Sequence, residues 1–196
     1  EINPLAITNK GDLIALDCKF VMDDSAIQRQ LELAEQGTPE QLTDLEVVGE
    51  SHRIKYIELD GNIVVLANGA GLTMTTMDVV RHYGGKPANF CEIGGEAYTK
   101  GKAALEMVLG KSGIKSLVVN FCGAFARCDV MMAGLLEAWE EINPNIPVYF
   151  SIAGTGDEAA IAMLKERLGM EPLPNLDEAC KAAVDAANRT IHGAGL

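Results

Sequence analysis

Leu117-Val-Val-Asn-Phe-Cys-Gly-Ala-Phe-Ala-Arg-Cys-Asp129 is the stretch whose reading decides the fold. The apolar run from Ile114 to Phe121 predicts a strand buried on both faces, because it leaves no polar side for solvent. Cys122-Gly123-Ala124 offers small residues for a sharp turn. From about Ala126 the pattern turns helical, with Val130, Leu135 and Leu136 roughly one face apart. The first turn of such a helix projects unpaired N–H groups toward the strand end, and the helix dipole adds positive potential there. The unit is therefore a candidate anion seat. An ordinary strand-to-helix connection is the plainer reading of the same residues.

Outward from this stretch, strand and helix patterns alternate. Strands are expected at 53–59, 62–67, 88–93, 114–121 and 146–153, and helices at 71–83, 98–109, 126–141, 157–168 and 176–189. Such alternation predicts an α/β fold with a mostly parallel sheet and helices on both faces, its ligands at the carboxyl ends of the strands. Four of those ends carry glycine ahead of a helix: Asn68-Gly69-Ala70-Gly71, Gly94-Gly95-Glu96, Gly123-Ala124-Phe125-Ala126 and Gly154-Thr155-Gly156-Asp157. One glycine there is routine, but four on one edge predict a crevice lined with backbone amides.

The leading segment reads differently. Glu1 to Ile7 and Asp12 to Phe20 are short apolar runs joined by Thr8-Asn9-Lys10-Gly11, which is hairpin chemistry. Asn3 and Asp17 are equidistant from Lys10, so a turn closing there sets them nearly opposite each other. An amide oxygen and a carboxylate are what a magnesium ion carrying nucleotide phosphates often takes from protein. Taken alone, a solvated Asp and an Asn near a turn is the simpler account. Asp24 or Ser25 is expected to cap a helix through Leu33, with Gly37-Thr38-Pro39 breaking it. A boundary is expected near residue 48. Glu1 opens directly into strand-like sequence, which suggests a piece of a longer chain.

Composition narrows the function classes. The chain has 196 residues, is 48% hydrophobic and carries a formal net charge of -12, with 16 Lys and Arg against 28 Asp and Glu. Nucleic acid and anionic membrane are therefore poor partners. No apolar run approaches the roughly 20 residues that span a bilayer. The five cysteines have no CxxC pair and no zinc spacing, which fits reduced thiols in a cytoplasmic protein.

Several motifs fail on context. Gly154-Thr155-Gly156-Asp157-Glu158-Ala159 matches the GxGxxA dinucleotide pattern, but on the last long strand and with a carboxylate where a pyrophosphate would lie. Gly110-Lys111-Ser112 lacks the upstream glycine of a P-loop. Cys122 and Arg127 are one residue too close for a thiolate phosphatase loop. His52, His82 and His192 are scattered without a paired carboxylate.

Gly61-Asn-Ile-Val-Val-Leu-Ala-Asn68-Gly69-Ala70-Gly71-Leu72-Thr-Met-Thr-Thr-Met-Asp78 resembles the signature of the β subunit of succinyl-CoA synthetase and its relatives, among them malate–CoA ligase and ATP-citrate lyase. Glu1-Ile2-Asn3-Pro4-Leu5, Leu16-Asp17-Cys18-Lys19 and Asp23-Asp24-Ser25-Ala26 resemble the end of that family's ATP-grasp domain. Val119-Asn120 through Arg127-Cys128-Asp129 resembles its active-site loop.

The resemblance implies that residues 1–48 are the tail of an ATP-grasp domain, with its last β-hairpin. It implies that 49–196 form a flavodoxin-like, doubly wound parallel domain. The implied reaction is nucleotide-dependent ligation of a carboxylic acid to CoA, of the kind used in the tricarboxylic acid cycle, through a phosphohistidine on an α subunit. Asn3 and Asp17 fall on the family's magnesium ligands, and Glu1 on a catalytic glutamate that contacts the phosphorylated histidine. Asn68, Ala124, Phe125 and Ala126 fall on substrate-binding positions. ATP or GTP would sit mostly on the preceding part of the chain and CoA mostly on the α subunit, the expected partner.

Two loops depart from the family pattern. Gly123-Ala124-Phe125-Ala126 stands where Gly-Gly-Ile-Val is usual, and Glu92-Ile93-Gly94-Gly95-Glu96 where Asp-Val-Gly-Gly-Gly is usual. These leave open another acid such as malate, or a non-catalytic assembly module. Met74, Met77, Phe125, Met131 and Met132 are expected on an apolar face toward the α subunit, with core burial the competing account for the methionines.

Overall fold

Leu5–Ile7 (β1) and Leu13–Ala15 (β2) pair antiparallel in the computed structural model, which describes residues 1–38, 41–93 and 97–192. A 3-10 helix, Asp24–Arg29, comes next, and then the single turn Leu31–Ala34 (α1). The cap of the 3-10 helix is Asp23, not Asp24 or Ser25: its carboxylate accepts from the Ser25 N–H at 2.8 Å.

The chain divides into two units, Glu1–Gln41 and Leu42–Leu196, ahead of the boundary expected near residue 48. The reason lies in Asp44–Ser51 (α2), which opens with a capping box between Thr43 and Glu46. Glu46 also accepts from the Glu58 N–H at 2.9 Å, and Leu45 packs on the core of the second unit. The polar stretch before residue 50 thus ends in a helix that belongs to the second unit.

The second unit holds Lys55–Glu58 (β3), Ile63–Ala67 (β4), Ala70–His82 (α3), Asn89–Glu92 (β5), Ala97–Gly110 (α4), Ser116–Gly123 (β6), Cys128–Ile142 (α5), Val148–Gly154 (β7), Asp157–Leu168 (α6) and Leu176–His192 (α7). The sheet order is β3-β5-β4-β6-β7, with β3 antiparallel to β5 and the other pairs parallel. The expected α/β architecture is present, with an antiparallel edge strand.

The continuous apolar strands split by parity. Val64, Leu66, Leu117, Val119 and Phe121 face a core built with α2, α4, α5 and α6, while Ile63, Val65 and Val118 face α3 and α7. Both faces are covered, which is why these strands carry no solvent-side polar alternation. Where β4 and β5 share little ladder, the buried Asn89 fills in. Its Nδ2 donates to the Val65 carbonyl at 2.9 Å and its Oδ1 accepts from the Val65 N–H at 3.1 Å.

Candidate functional site

The hairpin register pairs Leu5 with Ala15, Ala6 with Ile14 and Ile7 with Leu13. It continues past the strand ends. Leu16 N–H donates to the Pro4 carbonyl at 3.1 Å, and Glu1 and Lys19 exchange main-chain bonds at 2.8 and 3.0 Å. Asn3 therefore lies opposite Asp17, with Glu1 two residues away on the same strand. Asn3 Nδ2 makes a long 3.5 Å contact to Glu1 Oε1, which turns its Oδ1 away from that carboxylate. Asp17 Oδ1 accepts from the Cys18 N–H at 2.7 Å, leaving Oδ2. Two hard oxygen donors, exposed and opposed, fit a magnesium ion that takes its remaining ligands from water and phosphate. Among the described residues no group of three or more His, Cys, Asp or Glu is placed to hold a metal by itself.

In the second unit the strand order reverses direction between β4 and β6, the place where open parallel sheets form their crevice. Asn68 stands there, immediately after β4. Its Nδ2 donates to the Cys122 carbonyl at 2.9 Å, and its Oδ1 accepts from the Cys122 N–H at 2.8 Å. The side chain acts as one more rung between β4 and β6. A carboxamide has two N–H groups and two lone pairs, so one of each remains for a ligand.

Next to it, α3 opens at Gly69 with neither a side-chain cap nor an acidic residue in its first turn. Thr73, Thr75 and Thr76 bond back to the carbonyls of Gly69, Gly71 and Leu72 at 2.8 to 3.0 Å, and Asn120 Nδ2 donates to Thr76 Oγ1 at 2.9 Å. The bond from Asn120 to Thr76 holds the first half of α3 against β6. The leading amides of α3 and the helix dipole favour an anion beside Asn68.

The loop after β6 differs from expectation. The strand runs on to Gly123, and α5 begins at Cys128 instead of near Ala126. Ala124, Phe125 and Ala126 thus lie on a non-helical arch. The Ala124 N–H is taken by the Ala126 carbonyl at 3.1 Å and the Cys128 N–H by the Thr155 carbonyl at 2.9 Å. Asp129 brings its own carboxylate to the first turn of α5, where Oδ1 accepts from the Val130 N–H at 3.0 Å. The anion seat expected from the amides of that helix is therefore already supplied from within. Arg127 is directed at Asp129, through Nε at 3.0 Å and Nη2 at 2.8 Å, and this pairing holds the Asp129 carboxyl below its usual range.

Asp157 does the same at α6, with Oδ2 accepting from the Gly154 N–H at 3.1 Å and Oδ1 from the Glu158 N–H at 2.8 Å. A pyrophosphate would have to displace it, which agrees with setting the dinucleotide pattern aside.

The buried face of α5 is Cys128, Met131, Met132, Leu135, Leu136, Ala138 and Trp139, and Val130 lies off it. Met131, Met132 and Met77 are core residues, so the expected methionine-rich outer face is not built from them. Met74 is exposed, and Phe125 is 100% exposed at the tip of the arch. Gly94-Gly95-Glu96 lies outside the described residues. All five cysteines are free thiols, three of them buried. No helix among the described residues is long and apolar enough to cross a membrane.

Residues 66–186 match the family model described as CoA-ligase. The chain is 38% identical over 191 residues to the succinate–CoA ligase [ADP-forming] subunit beta of Persephonella marina, covering 96% of this chain and 49% of that one. It is 41% identical over 189 residues to the protein of the same name from Glaesserella parasuis, covering 95% and 49%. This chain thus spans about half the length of these relatives. Among solved structures it resembles a mutant ATP citrate lyase of Methanosaeta concilii in complex with (3S)-citryl-CoA, with a TM-score of 0.67, 21% identity, and 87% and 50% of the two chains covered. The chain belongs to the CoA-ligase family.

Proposed function

We propose that this chain serves a nucleotide-dependent carboxylate–CoA ligase as the second half of its β subunit, with a small dicarboxylic acid as substrate. The observation that carries the reading is Asn68, anchored at the switch-point crevice beside the uncapped start of α3 with one N–H still to give. Likeness to subunits named succinate–CoA ligase along almost the whole chain supports it.

In this reading, one carboxylate of the acid is received by Asn68 and the leading amides of α3. The arch Ala124–Ala126, at the end of the neighbouring strand β6, meets the reacting end of the acid. In the other unit, Asn3 Oδ1 and Asp17 hold a magnesium ion, whose charge offsets that of the nucleotide phosphates when bound. Glu1, next to Asn3, contacts a phosphorylated histidine contributed by a partner α subunit, which also carries most of the CoA site. Phe125, fully exposed on the arch, supports contact between this loop and that partner.

The test is a panel of mono- and dicarboxylic acids assayed for thioester formation with CoA and ATP or GTP, using the full-length chain and its partner subunit. A short dicarboxylic acid such as succinate or malate should be ligated, and Asp17→Asn should raise the magnesium concentration required. Failure of every acid would instead favour an assembly module, and an unchanged magnesium titration would remove the metal assignment.

A further inference from the structure

We propose that the turn Gly154-Thr155-Gly156-Asp157 is a positioning element that fixes the arch Ala124–Arg127. It is the role of a glycine pattern that the dinucleotide reading leaves unexplained. The proposal rests on the assignment of that arch to the acid site.

Thr155 grips both ends of the arch with its main chain. Its N–H donates to the Gly123 carbonyl at 3.0 Å, and its carbonyl accepts from the Cys128 N–H at 2.9 Å. The residues between these two bonds are the arch itself, and one residue on the neighbouring loop therefore sets both of its feet. The grip requires the two strand ends to touch. Gly123 and Gly154 are register partners on β6 and β7. A Cβ on Gly154 would lie 2.3 Å from the Gly123 carbonyl oxygen, and a Cβ on Gly123 would lie 2.3 Å from the Thr155 carbonyl oxygen. No side chain fits in either place.

Gly156 serves the third contact. A Cβ there would lie 2.6 Å from Asp129 Oδ1, the carboxylate that holds Arg127 at the end of the arch. Asp157 closes the turn on itself through the Gly154 N–H. Gly154 and Gly156 both have positive φ, +93° and +82°, a conformation that costs an L side chain energy at each position. Here the second makes room for Asp129, so the pattern is explained by the neighbouring loop.

In this proposal the turn acts only through the arch, which separates its effect from general stability. The experiment uses the full-length ligase assembled with its partner and measures KM for the acid, KM for the nucleotide, and amide exchange along the chain. Gly154→Ala should raise the acid KM at least about tenfold, since small misplacements of binding groups are costly. The nucleotide KM should stay within about twofold, and exchange should quicken at residues 124–128 but not in α4 or β4. Thr155→Ala should change neither, because the grip is main chain.

If Gly154→Ala does not fold, Gly156→Ala gives a second route. The increase in exchange that Gly156→Ala causes at residues 124–128 should be smaller by about half or more in an Asp129→Ser background, each measured against its own parent, since what remains is backbone strain alone. Unchanged exchange at residues 124–128 in both glycine variants overturns the proposal. So does faster exchange with an unchanged acid KM when Asn68→Ala raises it. If Asn68→Ala also leaves the acid KM unchanged, it is the acid-site reading that fails, and the proposed role in substrate positioning falls with it.

Discussion

Asn68 and Asn89 show one side chain used twice as a false peptide. Each gives one N–H and one carbonyl to the backbone of a neighbouring strand where the ladder is incomplete. Their surroundings separate their roles. Asn89 is 1% exposed, so nothing outside the protein can use what it has left. Asn68 sits at the strand end and keeps its spare valences accessible. Asn89→Ala strands the Val65 N–H and carbonyl without partners, and each buried unpaired group costs about 1–3 kcal/mol. Urea unfolding should show a loss of roughly 2–5 kcal/mol with an unchanged m-value. A loss under about 1 kcal/mol would mean that water replaces the carboxamide. Tyr56 is the opposite case, a hydroxyl buried without a partner among the described residues, whose titration burial pushes up.

Among the elements, α2 is held to the sheet edge by a relay of carboxylates. Glu46 closes the capping box with Thr43 and reaches the Glu58 N–H, while the Glu58 carboxylate accepts from Lys111 Nζ at 2.9 Å, both side chains being mostly buried. The bond from Lys111, helped by Thr43, holds the Glu58 carboxyl below its ordinary range. A carboxyl whose folded pKa is depressed contributes stability above its unfolded pKa and loses it as pH falls through the folded value. The contribution of Glu58 should thus be complete above about pH 5 and fade below about pH 4. Thermal melts of the wild type and Glu58→Gln should differ at pH 7 and converge toward pH 3. A gap that stays constant over that range would show that the pair acts through packing and not through charge.

At the scale of the whole molecule, both hydrophobic cores lie within Leu42–Leu196, while no described residue of Glu1–Gln41 is buried. Ile7, Phe20 and Val21 are each more than two-thirds exposed. A chain of that length without buried apolar surface cannot offset its conformational entropy. Residues 42–196 produced alone should therefore melt in one cooperative transition with native far-UV circular dichroism, and residues 1–41 alone should lack a transition. A non-cooperative melt of 42–196 would show that its cores depend on the leading segment.

Legibility from residues divides the same way. Apolar periodicity located the five strands and five main helices of the second unit, because burial on both faces of a parallel sheet leaves uninterrupted runs. The hairpin register was legible too, since a tight turn dictates which residues oppose, and Asn3 and Asp17 met as their spacing from Lys10 required. The start of α5, the burial of Met131 and Met132, and the direction of Arg127 were not legible. The first two depend on groups distant in sequence: Thr155 takes the Cys128 N–H, and the sheet-facing side of α5 takes the methionines. Arg127 turns to Asp129, a neighbour in sequence, but only the late start of α5 puts that carboxylate within its reach. The sequence by itself determined the alternation, the turn chemistry and the family. Only the tertiary structure decided which loop lends its amides and which has them satisfied, because that depends on what a neighbouring strand end brings within hydrogen-bond reach.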